Sequence, residues 1–225
     1  MPILKEIGID SHGLTREMDH QFRLQSRHVA ALIERHLPKF KTPDFWKILI
    51  VCCDSKPEQY KSFTVIGGVM DVYLACEILS FFALPENEKK KFVFEVICRG
   101  LESVTKHCGL GQVEFSSAIK ASRDLVNEWH WPHSPISSPN RKWRASLWCQ
   151  HEINRFAASL VVMDKQQNKV ASSLVFEAPP SEFQFVPRMC EPSWSSNDEL
   201  IVGDQTWEWN GIELRLKKKL RHKKL

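Results

Sequence analysis

The spacing of apolar residues changes at the middle of this chain, and the change limits the folds open to it. Before residue 130 the two longest patterned segments repeat apolar side chains every three or four positions. From Arg144 onward the repeat is two. The first spacing suits a helix with one buried face, the second a strand with one buried face. Between them, His130 to Lys142 carries Pro132, Pro135 and Pro139 among serines and reads as a long loop.

The helices carry their own punctuation. From Thr15 to His36, Met18, Phe22, Val29, Leu32 and Ile33 recur at three-, four- and seven-residue steps, with Glu17 and Asp19 near the start and Pro38 beyond the end. Pro85 precedes Glu86 and Glu88; Phe92, Val93, Val96, Ile97, Leu101, Val104 and Cys108 then repeat, Lys106 and His107 fill the last turn, and Gly109 follows. Gly100 costs this helix about 1 kcal/mol relative to Ala, which predicts close packing against a neighbour. A further helix is expected from Val113 to Trp129, antiparallel to the one before it.

Trp46 to Cys52 has the length and apolar content of a buried strand. Tyr60 to Ile66 and Val69 to Cys76 flank Gly67-Gly68, a two-residue hairpin turn. Val69 to Leu84 is apolar enough to suit a buried helix as well; the strand reading is preferred. In the second half, Arg144 to Cys149, Arg155 to Met163 and Val170 to Glu177 read as strands, and Pro179 to Asp198 as a connection. Gln205 to Trp209 and Ile212 to Leu216 flank Asn210-Gly211, a hairpin signal.

These segments predict an α+β fold: a mainly antiparallel sheet, with an N-terminal helix and a central antiparallel helix pair packed on it. Division near residue 135 would leave the N-terminal strands without a sheet large enough to stabilise them. A single domain over residues 1–216 is therefore expected, followed by a basic, flexible tail at 217–225. Of the 31 Lys and Arg, six lie in that tail, so the body carries fewer cations than its 27 acids. Nucleic acid is a partner only through the tail, whose simpler reading is a solvated end.

Met1 to Thr15 contains no apolar stretch of signal-peptide length, and Ile78 to Leu84, the most apolar run, is far too short to span a bilayer. Most of the seven cysteines sit inside apolar runs, which suits reduced core residues in a cytoplasmic protein without disulfides or a membrane partner.

Reactive signatures are sparse. There is no Cys-x2-Cys pair, and adjacent Cys52 and Cys53 would face opposite sides of a strand. His12, His20, His28 and His36 are eight apart, a helical rise of about 12 Å, and cannot meet at one ion. His130 and His133 lack a third ligand nearby. Neither a Gly-x-Ser-x-Gly turn nor a phosphate loop occurs. No metal or cofactor is expected. An enzyme remains the alternative, using a His/Cys site between residues 130 and 152, where Cys149 and His151 would share a strand face.

Eight tryptophans accompany only two tyrosines. Trp207 and Trp209 share a strand face and read as core. Trp131 and Trp194 lie in expected loops, where large amphipathic side chains anchor interfaces; with His133 they are the candidate partner-binding residues.

The segment Phe82-Ala83-Leu84-Pro85-Glu86-Asn87-Glu88-Lys89-Lys90-Lys91-Phe92, continuing to Arg99-Gly100-Leu101 and followed by a second helix and strands, resembles bacterial immunity-type proteins. The resemblance covers roughly residues 60 to 175 and rests on element order and the lysine-rich helix start. It implies a cytosolic, non-catalytic inhibitor that binds one cognate toxin across its active-site face. It transfers no catalytic residue.

Overall fold

Thr15 starts the first helix, α1 (Arg16–His36): its hydroxyl accepts from the Met18 N–H at 3.3 Å and satisfies a donor the helix leaves free. In the computed structural model, which describes residues 1–54, 62–126 and 130–219, α1 joins two parallel strands, β1 (Glu6–Ser11) and β2 (Lys47–Cys53). A hairpin of β3 (Phe63–Ile66) and β4 (Val69–Ala75) completes a four-stranded sheet in the order β1-β2-β4-β3, with β4 parallel to β2. Gly67 and Gly68 both have positive φ, 59° and 80°, as the tight turn between β3 and β4 requires. Two residues after β4 ends, the chain enters the short α2 (Ile78–Phe81), so the strand reading of Val69 to Cys76 holds.

The outer edge of β1 is covered from α1. Glu34 accepts the Ile7 N–H at 2.6 Å, and Arg27 donates to the Ile7 carbonyl at 3.1 Å while pairing with Glu34 at 2.6 Å. One ion pair thus blunts a strand edge that would otherwise offer both groups to another chain.

The next helix, α3 (Glu86–Cys108), ends on Gly109 in the left-handed region and lies across β2. Its Gly100 is the point of closest approach: a Cβ there would stand 2.5 Å from Ile50 Cδ1, inside van der Waals contact. The sequence expectation of a close neighbour at Gly100 is met by the middle of β2. α4 (Gln112–Arg123) follows and runs back along α3, placing the Arg123 guanidinium 5.5 Å above the Phe94 ring. It ends earlier than the apolar spacing predicts. Leu125 N–H closes onto Ser122 O, tightening the last turn, and residues 127–129 lie outside the described structure.

The chain divides into two compact units, Met1–Trp129 and His130–Leu225. The boundary falls close to the residue-135 division that the sequence offered as the alternative to one domain. The N-terminal sheet has four strands, one of them β1, which the sequence analysis did not assign as a strand.

In the second unit the expected loop at His130 to Lys142 contains two short strands, β5 (His130–Pro132) and β6 (Ile136–Ser137), both antiparallel to β7 (Arg144–His151). Both lie at one edge of their sheet, where proline's missing N–H is tolerated. β7, β8 (Phe156–Met163) and β9 (Lys169–Ala178) continue as a meander. The connection after β9 includes α5 (Glu182–Phe185) and a 3-10 turn, then opens a four-stranded antiparallel sheet of β10 (Ser193–Trp194), β11 (Glu199–Val202), β12 (Gln205–Trp209) and β13 (Leu214–Lys219).

The two sheets share one core that includes Leu147, Phe156, Leu160, Leu200, Trp207 and Trp209. Phe185 of α5 stacks on Phe156 with centroids 3.8 Å apart. β13 corrects the tail boundary: residues 217–219 are strand, and Lys217 pairs with Glu199 at 3.2 Å, leaving 220–225 outside the described residues. The fold is α+β, with mostly antiparallel sheets. Among the described residues no helix is long and apolar enough to cross a membrane.

Gly100→Val is expected to lower unfolding stability by about 2 kcal/mol through overpacking against Ile50. Adding Ile50→Val should recover part of that loss, read by urea titration of the single and double variants.

Candidate functional site

The residues nominated for partner binding belong to the second unit. Trp131 lies on β5, opposite Cys149, with its side chain outside the described part of the structure. His133 donates its backbone N–H to Leu147 O at 2.9 Å, and its Nε2 is buried with no hydrogen-bond partner among the described residues. Trp194 donates its indole N–H to Ile136 O at 3.3 Å and packs half-buried against the core shared by the two sheets. These contacts tie His133 and Trp194 into their own unit.

Cys149 and His151 do share a face of β7, and it is the core face. Cys149 is fully buried, and His151 is 1% exposed with Nε2 at 3.2 Å from Pro180 O and its ring against Phe156 and Phe185. In this conformation His151 is sealed under aromatic rings and Cys149 is buried in the same core. Among the described residues no group of three His, Cys, Asp or Glu side chains is placed to hold a metal ion.

A concave feature lies in the first unit, between α3 and α4. Gly109 and Gly111, both at positive φ, turn the chain between these helices. The resulting groove encloses about 750 Å³. Phe115 and Ile119 line it with apolar surface; Lys106, Lys120 and Arg123 bring three cations to it against the one acid, Glu102. Phe115 is held from behind by an edge-on contact with Phe40, centroids 5.4 Å apart. Such a groove offers apolar area for affinity and a positive field that favours acidic ligands.

A second cluster sits at the carboxyl ends of the parallel strands, the edge on which α/β sheets commonly carry their ligands. Ser11, at the end of β1, donates from its N–H to Asp10 at 2.8 Å and from both N–H and hydroxyl to Asp19. Arg23 pairs with Asp19 at 2.9 Å and lies 3.9 Å from Asp10. Burial, reinforced by the hydrogen bond to Asp19, pushes the Asp10 carboxyl up to about 6. Burial also works to raise Asp19, but hydrogen bonds from Asp10 and Ser11 and the charge of Arg23 outweigh it and hold its carboxyl below the usual range. Below about pH 6 the two acids therefore share one proton, Asp10 donating to an ionised Asp19.

The chain matches no known family model, no curated protein and no solved structure.

The carboxyl pair generates a pH prediction. Asp10 binds its proton more tightly folded than unfolded, so its contribution to stability is complete below about pH 4 and is lost as pH rises through about 6. After allowance for partial exposure, the loss is about 1 kcal/mol. Asp10→Asn keeps a donor to Asp19 and removes the titration; thermal unfolding across this range should therefore fall less steeply for the variant.

Proposed function

We propose that this chain is a non-catalytic protein-binding module, an inhibitor that neutralises one cognate toxin by direct contact, with the α3–α4 groove as its docking surface. The groove carries the reading. It joins apolar lining to a cationic rim on two helices, the arrangement that accepts an amphipathic segment bearing acidic side chains. The segment that resembles immunity-type proteins includes both helices. The burial of Cys149 and His151 favours this reading over an enzyme working between residues 130 and 152.

Co-expression with the product of the adjacent reading frame should yield a stable one-to-one complex on size exclusion. Reversing two exposed rim charges, Lys106→Glu with Lys120→Glu, should weaken that complex by about 10- to 100-fold in calorimetry while leaving the fold intact. Failure of every encoded neighbour to bind would remove the proposal. An unchanged affinity in the double variant would move the docking surface elsewhere.

A further inference from the structure

Three thiols meet where β2 and β4 end. In the parallel register Cys52 stands opposite Leu74 and Cys53 opposite Ala75. Cys76 follows β4 directly, donating its N–H to Cys53 O at 2.9 Å. Cys52 and its register partner Leu74 share one side of the sheet, and Cys76 lies two residues beyond Leu74. The Cys52 and Cys76 thiols lie close enough to perturb one another's ionisation. The thiols of Cys53 and Cys76 both point to the Leu74 carbonyl, at 3.4 and 3.8 Å.

The pair is asymmetric. Cys52 is completely buried, whereas Cys76 is half-buried and lies outside the strand. Arg99 of α3 donates to Ala75 O at 2.9 Å and holds a positive charge beside Cys76. The neighbouring Cys52 thiol, the Cys53 backbone bond and the Arg99 charge outweigh burial and the nearby Asp54 carboxylate, lowering the Cys76 thiol below its usual range. The neighbouring Cys76 thiol, together with burial, pushes Cys52 well up. One member is thus accessible and inclined to ionise; the other is protonated and adjacent.

We propose that Cys76 and Cys52 form an oxidisable dithiol that hydrogen peroxide converts to a disulfide. The Cys76 thiolate attacks one peroxide oxygen, the O–O bond breaks, and Cys76 becomes a sulfenic acid as hydroxide leaves. Cys52 sulfur then attacks the Cys76 sulfur; its proton leaves with the sulfenic hydroxyl as water, and the S–S bond forms. In total, two thiols lose two hydrogens and one peroxide becomes two waters. Bonding requires the Cβ atoms to close to about 3.8 Å, and the position of Cys76 beyond the last strand residue leaves backbone freedom for that step. The bond would staple the end of β2 to the turn that enters α2. This site is separate from the α3–α4 groove and does not depend on its role.

The test uses the reduced full chain, treated with hydrogen peroxide, blocked with N-ethylmaleimide, digested and sequenced by tandem mass spectrometry. The expected product is a Cys52–Cys76 linked pair lighter by two hydrogens, with Cys76 consumed at least about tenfold faster than the exposed Cys190. A link between Cys52 and Cys53, a link from Cys76 to Cys53, or oxygen adducts on an unlinked Cys76 would overturn it, as would equal rates at Cys76 and Cys190. In Cys52→Ala, checked for folding by circular dichroism, the Cys76 sulfenic acid should persist and be captured by a dimedone probe. Absence of that adduct in a folded variant would also overturn the proposal.

Discussion

The packing of α3 on β2 through Gly100 and Ile50 is the contact from which the first unit takes its arrangement. Because Gly100 adds no side chain of its own, the Ile50 side chain reaches the α3 backbone and the helix sits close against the parallel pair. Its carboxyl end then presents Glu102 and Lys106 toward α4, while Arg99 one residue earlier reaches the last carbonyl of β4. A bulkier residue at position 100 would lift the helix and move both arrangements together. The glycine carries a helix-propensity cost of about 1 kcal/mol that only this proximity explains.

Legibility in the sequence followed the strength of local signals. α1, α3 and the β3–β4 turn could be read because terminal charges, a closing glycine and paired glycines act on their immediate neighbours. β1 could not, since six residues with two core isoleucines make a weak pattern and its partner lies forty-one positions away. β5 and β6 were hidden by prolines that deny regular structure in isolation yet are acceptable on a sheet edge. The end of α4 was overestimated because Leu125 and Val126 keep the apolar spacing after the helical hydrogen bonds have stopped.

The sites were less visible than the fold for a related reason. The groove exists only once two helices lie side by side, and neither helix alone signals a concavity. The Asp10–Asp19 pair joins a strand end to the first turn of the following helix, and nothing in the spacing of acids along the chain marks it. The Cys52–Cys76 contact depends on parallel register, which single-sequence periodicity does not report. Cys149 and His151 behaved in the opposite way: their shared face was correctly inferred, but only the packed core shows that the face is closed.

The indoles are divided unevenly between the two units: six of the eight lie at or beyond residue 131, with Trp207 and Trp209 deep in the interior and Trp143 edge-on to Trp209. Ultraviolet emission from this protein is consequently weighted toward the carboxyl-terminal half. Melting of the helical half can then leave the fluorescence largely unaltered while ellipticity falls, so the two optical readouts follow different parts of one molecule.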